Sequence, residues 1–211
     1  QQKQLTTRSK YFSPDINEEG TEILAVKVNP NGSNNLVRID AATGKLISLT
    51  PNLRNYFFTQ TKYINSNTAV SAVRNPEGNM VLITIDLATG ELDNLTPFSF
   101  NVMGYPMVKG DTVYFNAMHD YADGIFAVNT SNKKICRLTD NLNGVYSPAI
   151  NTKGELLVSA FAAGGYRLAA VQLKKEDWRE FSALNLIPVN NKYFGDSVLQ
   201  MSGAGILRAV K

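Results

Sequence analysis

The sequence predicts an all-β fold, a β-propeller of four-stranded antiparallel blades, and three observations lead to it. An eleven-residue pattern is written twice, as DAATGKLISLT from Asp40 to Thr50 and as DLATGELDNLT from Asp86 to Thr96. The ending Leu-Thr returns roughly every 44 residues, which matches the length of a propeller blade. Between two endings lie four short runs rich in β-branched and apolar residues, each of strand length.

The four runs of a repeat come in a fixed order. The first often holds proline, as in YFSPDIN, GYPMV and VYSPAIN. The second follows a polar turn, as in TEILAVKV, NTAVSAV, DTVYFNAM and ELLVSAF, and the third follows a loop, as in MVLITIDLAT and GIFAVNTSN. The fourth is of the type GKLISLT. The high and evenly spread Asn, Thr, Ser and Gly content suits many short strands joined by turns.

The motif Asp-x-x-Thr-Gly is predicted to join the third strand of a blade to the outermost one. Asp40 and Asp86 can accept hydrogen bonds from turn backbone groups, and Gly44 and Gly90 can adopt positive φ. The leucine of the ending is expected to pack against the neighbouring blade. The threonine is expected to bond to the backbone, so the motif is interpreted as structural.

The repeat defines one domain, 1–211, with blades predicted at about 8–50, 51–96, 97–139 and 140–184. Segments 1–7 and 185–211 are left for a closing or partial blade. Because the chain opens on the ending KQLT, two arrangements fit. Either the two terminal segments share a composite fifth blade, which removes exposed sheet edges, or the chain is a fragment of a larger propeller.

Composition narrows the function classes. The chain has 44% hydrophobic and 18% charged residues and a net charge of +3, with no basic run longer than two residues, so no nucleic-acid footprint is present. One cysteine, Cys136, excludes an intrachain disulfide and a paired-cysteine metal motif. No run approaches the length of a membrane span. The opening QQKQLTTRSK lacks the apolar core of a signal peptide.

Catalytic patterns are weak. His119 is the only histidine, so a Ser-His-Asp arrangement would have to use it. Ser197 in FGDSV resembles an esterase serine, but its order relative to the histidine is reversed and its surroundings are β. Asp120 and Asp123 in MHDYADG lack the rest of a calcium loop and favour a hairpin turn. We therefore expect no catalytic residue, no metal and no cofactor.

The candidate binding residues lie in loops that a propeller brings to one end around its central opening. They are Arg54, Phe98, His119, Asp120, Tyr121 and Tyr166. Loops on a rigid scaffold concentrate binding residues, and exposed aromatic and arginine side chains are typical anchors. Three further tyrosines that begin inner strands, Tyr56, Tyr105 and Tyr146, are expected to pack between blades. Trp178 is expected either to cover an outer blade surface or to belong to the outer strand of the fourth blade.

The first repeat, SPD…G…ILAV…LVRIDAATGKLISLT from Ser13 to Thr50, resembles the repeat of the TolB-type, WD40-like propellers. The resemblance covers roughly Leu5 to Ser182. Later repeats depart from it, since Asn129 and Gln172 stand where the second repeat has Asp86. Propellers of this type include periplasmic TolB, the propellers that gate prolyl-oligopeptidase-like and tricorn-like peptidases, and Bacteroidetes envelope propellers fused to other domains. The Asn- and Lys-rich composition is most similar to the last group.

The expected function is that of a non-catalytic binding or scaffold propeller, part of a larger polypeptide in the bacterial periplasm or envelope. It would present one loop-lined face to a protein, a peptide or a glycan. The alternative is a substrate-gating propeller of a peptidase whose catalytic domain lies outside this chain. A propeller enzyme would need convergent carboxylates, for which Glu77, Asp120 and Asp123 are the main candidates.

Overall fold

The computed structural model of the protein describes residues 3–51, 54–119, 122–139, 144–174, 176 and 178–182. These residues form four antiparallel sheets. The strands of the first two sheets are β1 (Tyr11–Ile16), β2 (Glu22–Val28), β3 (Asn34–Asp40), β4 (Leu46–Thr50), β5 (Phe57–Tyr63), β6 (Thr68–Arg74), β7 (Met80–Asp86) and β8 (Leu92–Asn94). The strands of the other two are β9 (Met103–Lys109), β10 (Thr112–His119), β11 (Ala122–Asn129), β12 (Ile135–Arg137), β13 (Val145–Ile150), β14 (Glu155–Ala162), β15 (Gly165–Gln172) and β16 (Arg179–Glu180).

The sheets are blades of a propeller, which confirms the predicted fold. Strands follow one another from the inside to the outside of each blade, in the orders β1-β2-β3-β4 and β5-β6-β7-β8 for the first two. The innermost strands β1, β5, β9 and β13 contact one another in succession. Apolar side chains fill the spaces between adjacent blades, and the largest cluster lies between the second and third blades.

The last strand among the described residues lies where the sequence did not place it. The sequence assigns 179–184 to the fourth blade, but β16 pairs with β12 and becomes a fifth strand of the third blade. Aromatic contacts hold it there, since Trp178 packs edge-on against Tyr114 at 6.0 Å and Phe181 against Phe126 at 5.0 Å. The fourth blade therefore has three strands among the described residues.

The proposed closing blade is only partly described. Segment 185–211 lies outside the described residues. Residues 3–7, expected to provide an outer strand, form no strand in the structure. Instead the Lys3 ammonium donates to the Ala42 carbonyl at 3.3 Å, and the Leu5 carbonyl lies against Gly44 in the turn after β3.

The Asp-x-x-Thr-Gly turns have the predicted structural role. Asp40 accepts from the Thr43 amide at 2.7 Å, and Asp86 accepts from the Thr89 amide at 2.7 Å. Hydrogen bonds from the Thr43 hydroxyl and amide hold the pKa of Asp40 below its ordinary value, and those from the Thr89 amide and hydroxyl do the same for the pKa of Asp86. Both turns end in a glycine at positive φ, 72° at Gly44 and 78° at Gly90.

The Leu-Thr endings are partly as predicted. The Thr96 hydroxyl accepts from the Leu82 amide at 3.0 Å, and the Thr139 hydroxyl accepts from the Ile125 amide at 3.0 Å. Leu95 is buried between the second and third blades, as expected. Leu49 is exposed, so the prediction is wrong for this copy, because the first blade has no neighbour on that side among the described residues.

The two turn glycines provide a matched comparison. Gly90→Ala is expected to cost about 1–2 kcal/mol, the usual penalty of a left-handed conformation for a residue with a Cβ atom. Gly44→Ala should cost more, because its Cβ would also overlap with the Leu5 backbone carbonyl. Urea unfolding of the two variants measures the difference. Equal losses would show that residues 3–7 do not pack on this turn in solution.

Each inner strand contains a bulge with one residue in the left-handed region. These residues are Ser13, Gln60, Tyr105 and Ser147, with φ between 48° and 53°. Proline follows in three of the four, which is consistent with a position where the hydrogen-bond ladder is interrupted and no N–H is needed. The prolines noted in the sequence therefore mark bulges beside the central axis.

Candidate binding face

The strand order brings two kinds of loop to the same end of the propeller. The hairpins β2–β3, β6–β7, β10–β11 and β14–β15 share this end with the connections from β4 to β5, from β8 to β9 and from β12 to β13, because neighbouring strands are antiparallel. The four predicted binding residues that the structure describes, Arg54, Phe98, His119 and Tyr166, belong to these loops or to adjoining strand ends. Asp120 and Tyr121 lie outside the described residues, so their contacts stay predictions.

Exposed aromatic side chains are confined to this end. Among the described residues five aromatic side chains are exposed, namely Phe57, Phe100, Tyr105, Phe161 and Tyr166. Each lies in one of the loops above or near a strand end next to them. We call this end the aromatic face and the other end the opposite face. A concentration of exposed aromatic side chains at one end of a scaffold is typical of interaction surfaces.

Arg54, Tyr56 and Phe98 form a contiguous stack on the aromatic face. The Arg54 guanidinium carbon lies 5.9 Å from the Tyr56 ring centroid, and the Tyr56 ring meets Phe98 edge-on at 6.2 Å. Tyr56 is buried, as expected, in the cluster between the first two blades, and Phe98 packs against the same cluster. Arg54 is thus the solvent-facing member, and Phe98 serves mainly as its support.

Phe100 and Val102 are the exposed residues of this loop, at 68% and 60% of their accessible surface. Two backbone hydrogen bonds between Ser99 and Met80, of 2.7 and 2.9 Å, tie the loop to the second blade. The Asn101 side chain donates to the Met118 carbonyl at 3.1 Å and ties it to the third blade. Phe98 was predicted as a binding residue and Phe100 was not. The sequence has no signal that separates them, because residues i and i+2 of an extended segment lie on the same face.

His119 takes part in an aromatic contact at the end of β10. Its ring meets Phe181 edge-on at 4.8 Å, and Phe181 in turn contacts Phe126. The segment carrying β16 thus reaches the histidine predicted for the binding face. Among the described residues no group of three His, Cys, Asp or Glu side chains is arranged to hold a metal ion.

A second aromatic group surrounds Tyr166, which is 66% exposed. Its ring contacts Tyr146 at 5.9 Å and Phe161 at 5.1 Å. The Tyr146 hydroxyl donates to Asp123, and burial followed by this hydrogen bond raises the pKa of Tyr146. Asp123, considered as a cation ligand from the sequence, therefore serves as the acceptor for a tyrosine of the next blade.

Tyr105 differs from the other two tyrosines at the start of inner strands. It was expected to pack between blades, yet half of its surface is exposed. The left-handed conformation at this residue, with φ of 51°, accounts for the difference, because a bulge changes the direction of the side chain. Its amide is held by the Gln60 side-chain carbonyl of the preceding blade.

A cavity of about 460 Å³ lies on the third blade towards the opposite face, lined among others by Asp111, Cys136, Trp178 and Glu180. Burial raises the pKa of the Cys136 thiol. A raised thiol pKa lowers the fraction of the nucleophilic thiolate at neutral pH. The cavity is separate from the aromatic face and contains none of the predicted binding residues.

Solved structures of propeller proteins are similar to this chain. A protein described as TolB from Agrobacterium tumefaciens has a TM-score of 0.68 at 11% identity, over 83% of this chain and 63% of that one. An oligogalacturonate lyase from Vibrio parahaemolyticus has a TM-score of 0.58 at 15% identity, over 83% of this chain and 54% of that one. A puromycin-hydrolysing peptidase of Mycobacterium tuberculosis has a TM-score of 0.57 at 13% identity, over 82% of this chain and 31% of that one.

These likenesses establish a TolB-like propeller fold and, at such identities, the fold alone. The chain spans less than two thirds of the length of each of the three proteins. No protein-family model and no curated protein sequence matches it. Within the described part of the chain, no helix is long and apolar enough to cross a bilayer.

Proposed function

We propose that this chain is a non-catalytic binding module whose aromatic face receives a peptide segment of a protein partner in the bacterial envelope. The observation that carries the proposal is that the five exposed aromatic side chains of the described residues all lie at one end. Aromatic residues are enriched at protein interfaces, and charged residues are depleted at the centres of those interfaces. The envelope location rests on the resemblance to TolB-type repeats.

The way the loops are held supports binding of a ligand at a preformed surface. Ser99 and Asn101 fasten the loop that presents Phe100 and Val102 to two blades. Tyr146 and Asp123 join the third and fourth blades beneath Tyr166. A surface that is rigid before binding loses little conformational entropy when a ligand arrives, which favours affinity.

The double variant Phe100→Ser with Val102→Ser is expected to weaken peptide binding at least about tenfold, the effect of losing a hot spot of some 1.4 kcal/mol or more. Peptides of twelve residues are selected from a random phage library on the unchanged protein and synthesised. Their dissociation constants are then measured by fluorescence polarisation.

The matched control is Leu46→Ser with Ile47→Ser, which removes two similarly exposed apolar side chains away from the aromatic face. It should leave binding unchanged. The proposal would be contradicted by a library that yields no binder above background. It would also be contradicted by peptides that lose as much affinity with the control as with the double variant.

A second candidate function is favoured by the likeness to the peptidase, of which this chain covers 31%. In that case the propeller would control access of substrates to a catalytic domain encoded in the same gene. The sequence of the parent gene distinguishes the two functions. A hydrolase or metallopeptidase domain beside this segment would favour the gating role.

A further inference from the structure

The part of the aromatic face formed by the first two blades carries a net positive charge, because its cations outnumber its carboxylates. We call this part the cationic half and define it by Lys10, Lys27, Arg54 and Arg74. Glu77 is the one carboxylate in its described loops and strand ends. By contrast, the described carboxylates of the opposite face are Asp15, Glu18, Glu19, Glu22, Asp40, Asp86, Glu91, Asp93, Asp111, Glu155 and Glu180.

The four cations of the cationic half form no ion pair with any described residue. Arg74 donates to the Gly78 carbonyl at 3.1 Å, and Arg54 lies over the Tyr56 ring. Neither contact supplies a negative charge. The ion pairs Lys62–Asp15 at 2.8 Å, Lys133–Asp93 at 2.7 Å and Lys134–Glu180 at 2.9 Å lie towards the opposite face.

The surroundings of Arg74 include the exposed Phe57 and also Gly78, which lies near the exposed Phe100 ring. Arg74 stands directly opposite Phe57 in the pairing of β5 with β6, so the two side chains are on the same side of the sheet. Its guanidinium also donates to the Gly78 carbonyl. Gly78 lies beside Phe100, since a Cβ atom built on this glycine would be 4.0 Å from the Phe100 ring. Phe57 also stacks on Phe12 of the first blade, with centroids 6.4 Å apart.

We propose that the cationic half binds an acidic peptide segment in which carboxylates alternate with apolar side chains. A carboxylate near Arg74 would leave neighbouring apolar side chains of the same peptide in reach of Phe57 and Phe100. A bidentate contact between an arginine and a carboxylate of the peptide fixes the orientation of that carboxylate and also neutralises its charge. An acidic glycan would satisfy the cations but has no apolar side chain for Phe100 and Val102. The inference rests on the proposed function and names the chemistry of its partner.

Three measurements on the unchanged protein test the charge preference. The selected peptides should be enriched in Asp and Glu, and versions with every Glu changed to Gln and every Asp to Asn should bind about tenfold more weakly. Affinity for the acidic peptides should also fall when NaCl is raised from about 50 to 300 mM, because the shorter screening length weakens exposed charge pairs.

The variant Arg54→Glu with Arg74→Glu should weaken the acidic peptides about tenfold or more and should improve binding of their Lys-substituted versions. The control Lys45→Glu with Lys153→Glu changes the net charge equally on the opposite face and should leave affinity unchanged. Arg74→Gln, which retains donors for the Gly78 carbonyl, replaces Arg74→Glu if the latter does not fold.

The outcomes separate this inference from the proposed function. Peptides that need Phe100 and Val102 but bind equally well as amide versions would overturn the acidic preference and leave the binding face intact. Equal weakening by the opposite-face control would overturn it too, because the effect would then reflect net charge. Oligogalacturonate serves as an acidic glycan probe. If it binds more tightly than any selected peptide, the ligand of the cationic half is a glycan and the peptide proposal is wrong.

Discussion

Phe115→Ala is expected to lower the free energy of unfolding by about 3–5 kcal/mol, the largest single effect that this fold predicts. Phe115 lies in β10 and is fully buried. Its ring is 5.8 Å from Phe126, in the cluster that includes Leu82 and Met103 and joins the second and third blades. Removing the ring leaves a cavity that neighbouring blades can fill only by moving relative to each other.

Urea unfolding followed by far-ultraviolet circular dichroism measures this loss. Phe100→Ala is the matched control, because the same side chain is removed from a position that is 68% exposed. It should change stability by no more than about 0.5 kcal/mol. If the two alanine variants are equally stable, the cluster between the second and third blades does not have the packing described.

Asn116→Ala is expected to cost about 2–4 kcal/mol, because it leaves the Val145 carbonyl and the Ser147 amide without the partner that they share. The Asn116 side chain donates to the Val145 carbonyl at 2.6 Å and accepts from the Ser147 amide at 2.7 Å. Asn116 is only 5% exposed. This one side chain therefore satisfies both strand groups beside the bulge of the fourth blade.

Urea unfolding measures the loss in the free energy of unfolding, and amide hydrogen exchange at Ser147 reports on the hydrogen bond from its amide to Asn116. Protection of the Ser147 amide should fall in Asn116→Ala. The control Asn67→Ala removes an exposed asparagine from the β5–β6 turn and should have little effect on either measurement. A loss in Asn116→Ala no greater than in the control would mean that the third and fourth blades are held together without this contact.

The repeat made the architecture predictable because each copy carries its own turn and packing signals. Asp40 and Asp86 accept the same hydrogen bond in the same kind of turn. The Thr96 and Thr139 hydroxyls accept from the amide of the neighbouring strand in their two blades. The position of β16 was not predictable. A two-residue strand has almost no pattern, and long-range contacts of Trp178 and Phe181 determine its partner.

The end of the propeller at which the candidate residues lie was predictable, but the exposure of individual side chains was less so. Topology brings Arg54, His119 and Tyr166 to the predicted end. Which aromatic residue of a loop is exposed depends on local bonding, so Phe98 supports the face while Phe100 is presented by the Ser99 contacts. Tyr105 was misjudged because a left-handed bulge has no signature beyond the proline that follows it.

At the inner-strand bulges the backbone conformation is independent of the side chain that the bulge residue carries. Ser13, Tyr105 and Ser147 share one backbone conformation before a proline, although their side chains differ widely in size. The three bulge residues thus have nearly the same positive φ but different side chains. The first, third and fourth blades thus each offer one place where the wall of the central opening can carry a different side chain on the same backbone, so specificity can diversify blade by blade while the ring stays the same.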